Sequence, residues 1–159
     1  MTGWVGGGTM NLYLVRTDSL GDTLWTRTYG SDSVEFQGRS VQQTEDGGYF
    51  VVGYTEPGIH GHADIPVWKF SPDGDIELEK VFGSFGHEVG NEVQQTTDGG
   101  YIIVGSTHLD PFQGSIYLIK TNSAGDSLWS RTLGLPYSAW GSSLQQTQKS
   151  WGQTFKLQY

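Results

Sequence analysis

With 159 residues, a formal charge of −8 and no cysteine, the chain excludes a disulfide framework and a thiolate metal site, and its acidic surface repels phosphates, which argues against a nucleic-acid partner. Glycine contributes 24 residues, about twice its usual share, while charged residues at 16% fall below the usual quarter; this is a composition of tight turns rather than solvated helices. Six Trp, eight Tyr and seven Phe leave it too hydrophobic to be disordered.

In chain order, "TDSLGDTLWTRTYG" from Thr17 carries a glycine turn at Gly21 into a strand. "SVQQT" (Ser40 to Thr44) then reaches the Asp46-Gly47 pair, a hairpin signal because both residue types tolerate the positive φ of tight turns. "YFVVGYT" from Tyr49 is rich in β-branched and aromatic residues. A loop with Pro57 and Gly58 leads to "IPVWKF" from Ile65, and "SPDGD" turns the chain into "IELEKVF" from Ile76. The series then starts again: "VQQTEDGGYFVVG" (41–53) returns as "VQQTTDGGYIIVG" (93–105), and "LQQT" opens a further copy at Leu144. Gly21, Gly74 and Gly125 fall at the same place in each copy, 53 and 51 residues apart, which confines insertions to loops.

No window shows the apolar period of a helix, so each copy reads as a four-stranded antiparallel meander and the fold class as all-β. Strands such as "YIIVG" and "YLIKT" are apolar at consecutive positions, which suits a sheet covered on both faces. Small sheets packed face to face with a period of about 52 residues make β-propeller blades. The predicted array, one domain over 1–159, runs as a half blade (1–30), two blades (39–83 and 91–134) and a partial blade (142–159). These three blade-equivalents fall short of the about four to eight blades of a closed ring, so an incomplete ring is expected. A fragment, or a frameshift near Gln148, accounts for that shortfall; so does a homodimer in which the outer half blade of one copy completes the inner half blade of another.

The stretches Thr17 to Gly30, Val41 to Gly53, Val93 to Gly105 and Thr121 to Gly134 resemble the DGGY-containing β-propeller repeats of large secreted bacterial proteins, many of which end in a type nine secretion sorting domain. The order of elements is more distantly similar to WD-type repeats. The "D-x-x-G-x-x-x-W" spacing at Trp25 and Trp129 resembles the tryptophan-docking repeats of quinoprotein propellers. The first resemblance implies an extracellular or cell-surface location; "MTGWVGGGTMNLYLV" has no signal-peptide pattern, so any export signal is expected outside this chain. The quinoprotein resemblance implies a quinone-dependent dehydrogenase; the alternative function is therefore a fragment of a propeller enzyme, either that or a glycan-active one, whose site is expected in missing blades. No run of about 18 apolar residues marks a membrane span.

Candidate chemistry is sparse. The loop "EPGIHGHAD" sets His60, His62 and Asp64 in alternation, and "THLD" sets His108 and Asp110 on the equivalent loop of the next copy, ligand types that suit zinc. Trp4, Tyr54, Phe112 and Trp140 lie near loops and offer faces on which a sugar stacks. "DSLGD", "SPDGD" and "NSAGD" lack the ligand spacing of calcium loops and read as turns. Arg16, Lys69 and Lys120 form a basic column read as a solvated strand face, and one glutamine of each pair (Gln42, Gln43, Gln94, Gln95, Gln145, Gln146) is positioned to bond between sheets. No nucleophile, base and orienting residue recur together, so no cofactor and no enzymatic role are assigned. The expectation is a non-catalytic binding or structural module whose variable segments, 54–64 and 106–115, contact a protein or a glycan.

Overall fold

The computed structural model describes residues 2–5, 10–60, 62–110, 113–134, 139–147 and 154–158. Every regular element among them is a strand. A three-stranded sheet holds β1 (Thr2–Val5), β2 (Asn11–Thr17) and β3 (Thr23–Tyr29). Two four-stranded sheets follow, the first from β4 (Glu35–Gln43), β5 (Tyr49–Glu56), β6 (Ile65–Phe70) and β7 (Ile76–Phe82), the second from β8 (His87–Gln95), β9 (Tyr101–Asp110), β10 (Gln113–Thr121) and β11 (Ser127–Leu133). β12 (Ser143–Thr147) and β13 (Thr154–Gln158) pair as a two-stranded sheet. All pairings between the named strands are antiparallel and join chain neighbours, so the four-stranded sheets are meanders; a single parallel bridge, Ala63 to His87, links the two, and the sheets do not close on one another.

Alternation along the strands explains why both faces are apolar. On β5, Val51 points toward the first sheet, where it joins Leu12, Leu14, Trp68 and Phe70. Its neighbours Phe50 and Val52 point the other way, into a cluster with Ile65, Val67, Val93, Tyr101, Ile103 and Ile119. On β9, Ile102 and Val104 turn outward to Ile116, Leu118, Ala139 and Leu144. Each four-stranded sheet is thus pressed between two neighbouring sheets, and the three interfaces take the place of one central core.

Two turns recur in chemical detail. After β4, Thr44 and Gly48 both donate to the Asp46 carboxylate, and after β8, Thr96 (2.5 Å) and Gly100 (3.1 Å) do the same to Asp98. Lys69 on β6 and Lys120 on β10 reach across to those carboxylates, at 2.5 and 3.0 Å. Lys120 is therefore not on a solvated face: its side chain is 4% exposed, because the hairpin turn brings it a counter-charge and the Thr121 carbonyl. The glycine turns are closed by Asp18, Ser71 and Asn122, each accepting from the amide four residues on, with Gly21, Gly74 and Gly125 at positive φ.

Asp98→Ala is expected to cost about 2 kcal/mol, because it strands a buried ammonium, and Asp46→Ala about 1 kcal/mol, because Lys69 keeps Glu77 at 2.8 Å. Urea titration of the two variants checks the order. Acid probes the same contacts: the Asp46 carboxyl is held at about 2 chiefly by the Lys69 hydrogen bond, and the Asp98 carboxyl at about 2 chiefly by that of Thr96. Both lie below the ordinary carboxylate value, so their contribution is complete above about pH 4 and is lost as pH falls through about 2. Both carboxylates are half exposed, which limits each contribution to about 1 kcal/mol.

The strands also differ from the sequence expectation. β4 and β8 begin at Glu35 and His87, four residues ahead of the predicted blade starts, carried through a bulge at Gly38/Ser40 and Gly90/Glu92. Most of 106–115 is strand rather than loop: Ser106 and Thr107 pair with Val89 and Glu88 on one side and with Ile116 and Ser115 on the other. The buried Thr107 hydroxyl donates to the Glu88 carboxylate at 2.7 Å, a bond that the extended backbone makes possible. The segment 1–30 holds a short third strand, β1, with Gly3 opposite Tyr13 and Trp4 opposite Leu12.

Candidate functional site

The first strands of successive sheets, β4, β8 and β12, lie side by side and are stitched by one contact repeated along the chain. Ser40 Oγ accepts from the Val93 amide (3.3 Å), and Glu92 Oε2, one copy later, accepts from the Leu144 amide (2.7 Å). Gln42 Oε1 likewise accepts from the Gln95 amide, and Gln95 Oε1 from the Glu45 amide (3.1 Å), so the glutamines do join sheets. Because these strands start at equivalent places, their opening residues converge at one end of the array. There Arg39, His87, Val89, Asn91, Ser106, His108, Trp140 and Ser142 line an open pocket of about 700 Å³.

Its polar groups are mutually ordered. Trp140 Nε1 donates to His108 Nε2 at 2.9 Å. An indole nitrogen only donates, so His108 Nε2 accepts and its ring proton sits on Nδ1, facing the His87 carbonyl at 3.4 Å. The His87 ring meets the His108 ring edge-on at 6.2 Å. Trp140 remains 54% exposed, with an indole face free for contact. Opposite, Arg39 donates to Asn91 Oδ1 at 3.0 Å, and its guanidinium lies 5.2 Å from the Tyr54 ring centre. Asn91 is in turn fixed by donating to the Gly141 carbonyl at 2.8 Å. Among the described residues Arg39 makes no ion pair, although the chain is strongly acidic. The result is a cation, two imidazoles and an aromatic face around one open space.

The residues singled out from sequence are distributed as follows. Trp140 and His108 meet in the pocket, and Tyr54 supports it from beneath Arg39. His60 and Asp64 belong to a different device: Asp64 is fully buried and accepts from the His60 amide (2.9 Å) while its Oδ1 lies 3.2 Å from His60 Nδ1, capping their own loop. His62 is exposed. No group of three or more His, Asp or Glu side chains fit to hold a metal ion occurs among the described residues. Phe112 lies outside the described residues, as do the side chains of Trp4 and Asp110. Trp25 packs edge-on to Tyr49, their ring centres 5.8 Å apart, between the first two sheets, and Trp129 packs against the Ile102 cluster.

Arg39, Asn91 and His87 are absent from the sequence candidates. The signal for two of them is positional: Arg39, Asn91 and Ser142 stand at the same place in the three copies, between a repeated glycine (Gly38, Gly90, Gly141) and the repeated "VQQT" or "LQQT". A position that differs among copies while its neighbours recur, at the strand end where copies converge, marks where a repeat array is free to specialise. No protein-family model matches the chain, and neither does any curated protein. No helix is long and apolar enough to cross a membrane among the described residues.

Proposed function

We propose that the chain is an array of β-propeller blades, of the DGGY-containing type that its repeats resemble, working outside the cell or on its surface as a non-catalytic module that binds a carboxylate-bearing saccharide. The blade reading is supported by meanders of one period buried on both faces. The binding reading is carried by one observation: Arg39, which has no carboxylate partner among the described residues, shares an open pocket with the exposed face of Trp140. A guanidinium already oriented by Asn91 and Tyr54 accepts a carboxylate in a forked geometry with little further ordering. The indole face suits the apolar face of a sugar ring, and the His87 imidazole, which lines the same space, offers a partner to its hydroxyls. The overall negative charge disfavours a highly charged polyanion and leaves room for a ligand with one acidic group placed locally at Arg39.

The test is a saccharide panel in which acidic sugars are matched with their neutral counterparts, followed by calorimetry on the best binder. Arg39→Ala is expected to weaken binding of the acidic sugar at least tenfold and to leave a neutral analogue unchanged, and Trp140→Ala to weaken both. Equal binding of the neutral and acidic partners to the native chain, or no saccharide bound at all, would refute the reading.

A further inference from the structure

The outer strands carry a second repeated contact, which the chain makes twice and leaves half-made at each end. In the first sheet, Arg27 and Tyr29 on β3 and Arg16 on β2 hold the glycine turn of the next sheet: Arg27 donates to the Asp73 carbonyl (3.2 Å), Arg16 to the Pro72 carbonyl (3.1 Å) and Tyr29 to the Gly74 carbonyl. One copy later, Lys80 on β7 donates to the Ala124 carbonyl (3.0 Å) and pairs with the Asp126 carboxylate, holding the turn around Gly125. The fit is tight, since a Cβ on Gly125 would run into the Leu78 side chain, and one on Gly74 would touch Arg27, Tyr29 and Trp25.

The same cradle occurs a third time on β11, where Trp129 and Arg131 stand in the places of Trp25 and Arg27, or of Leu78 and Lys80. There it holds no turn among the described residues: Arg131 donates only to its own neighbour's carbonyl, at Ser130, and Leu128 and Leu133 beside it are exposed. Conversely, no described residue cradles the turn from Asp18 to Asp22 in the first sheet, and a Cβ built on Gly21 would meet nothing within 4 Å. One end of the array presents a basic cradle without a turn, the other an acidic turn without a cradle.

We infer that the cradle of Trp129 and Arg131 on β11 receives the Asp18–Asp22 turn of a second copy of this chain, with Arg131 pairing to Asp22 as Lys80 pairs to Asp126. The charges are complementary, and the chain already makes two copies of the contact. Strand content agrees: β12 and β13 pair as the first two strands of a meander and β2 and β3 match its last two, so the sheet that the incoming turn belongs to lies beside them and covers the outer half of the Ile102 cluster. Such a head-to-tail interface joins unlike surfaces, so it closes into a ring of two or more copies or continues as a filament.

Sedimentation or light scattering of the whole chain across a concentration series tests it. The expected result is reversible association to at least twice 17.5 kDa, weakened tenfold or more by Arg131→Glu and equally by Asp22→Arg, and recovered both on mixing those two variants and in the double variant, because in each case opposite charges again face each other across the contact. Both residues are on exposed outer positions, and far-ultraviolet circular dichroism confirms that the variants keep their strands. A chain that stays monomeric at every concentration, or one whose association ignores both substitutions, would overturn the inference; the second outcome would assign these surfaces to other partners, such as further sheets of a longer chain. Because saccharide binding plays no part in the measurement, the inference and the proposed function fail independently.

Discussion

Phe50→Ala is expected to lower the unfolding free energy by about 3–5 kcal/mol, as truncation of a buried aromatic does where the site cannot collapse. Phe50 is fully buried, and its ring stacks on that of Tyr101 with centres 3.6 Å apart and planes within 15°. The two rings come from the repeated "GGYF" and "GGYI" stretches, but from different register positions: Phe50 points forward from β5, and Tyr101 points back from β9. Removing one leaves the other facing a void that the flanking strands, tied by backbone ladders on both sides, cannot fill. Burial also raises the Tyr101 phenol above its ordinary pKa, so the hydroxyl stays neutral in this interface. A domain of this size is stabilised by about 5–15 kcal/mol in all, so the variant should be at the edge of folding at room temperature. Phe50→Leu, which keeps most of the volume, should cost about 1.5 kcal/mol or less. Guanidinium denaturation compares them; a Phe50→Ala cost below that of Phe50→Leu would mean that the sheets are not stabilised through this interface.

The architecture was legible because its causes are local and repeated. "YFVVG" and "YIIVG" announce strands apolar on both faces, and Asp-Gly pairs announce the hairpins, so the meanders follow from short-range chemistry seen twice. What the sequence concealed depends on contacts between elements. A lysine that alternates with apolar residues, such as Lys120, reads as a solvated position; its burial follows only from the turn that sets Asp98 against it from the neighbouring hairpin. "STHLD" reads as a loop by composition, yet two partner strands hold it extended and give Thr107 a carboxylate to bond. The pocket was half visible. Aromatic and histidine candidates included Trp140 and His108, but nothing in spacing says that residues 32 apart share a hydrogen bond, and Arg39 looks like any exposed charge until its missing counter-ion is noticed.

The repeated glycines separate two reasons for a glycine and give the second large effect. Gly105→Ala is expected to cost about 3 kcal/mol, and Gly99→Ala only about 1 kcal/mol, although Gly99 has the rarer backbone conformation. Gly99 sits in the hairpin turn at φ +78°, with nothing nearer to a new Cβ than the Ser123 side chain at 4.0 Å, so alanine there meets backbone strain alone. Gly105 has no such strain, but it lies opposite Gly90 beside the β8 bulge, and a Cβ would overlap the Val89 carbonyl oxygen. The obstacle is backbone, which cannot rotate aside as a side chain does; the ladder between β8 and β9 has to open instead. Gly53, facing Gly38 and the Gln37 carbonyl, is built the same way, so Gly53→Ala should match Gly105→Ala in urea titrations. These pairs let the first strand of each sheet come close enough to bend past its neighbour, and that bend is what brings Arg39 and Asn91 to the pocket side by side. A Gly105→Ala cost no larger than that of Gly99→Ala would show that the bulge yields to a methyl group, and the close approach would then not be what fixes the geometry of the site.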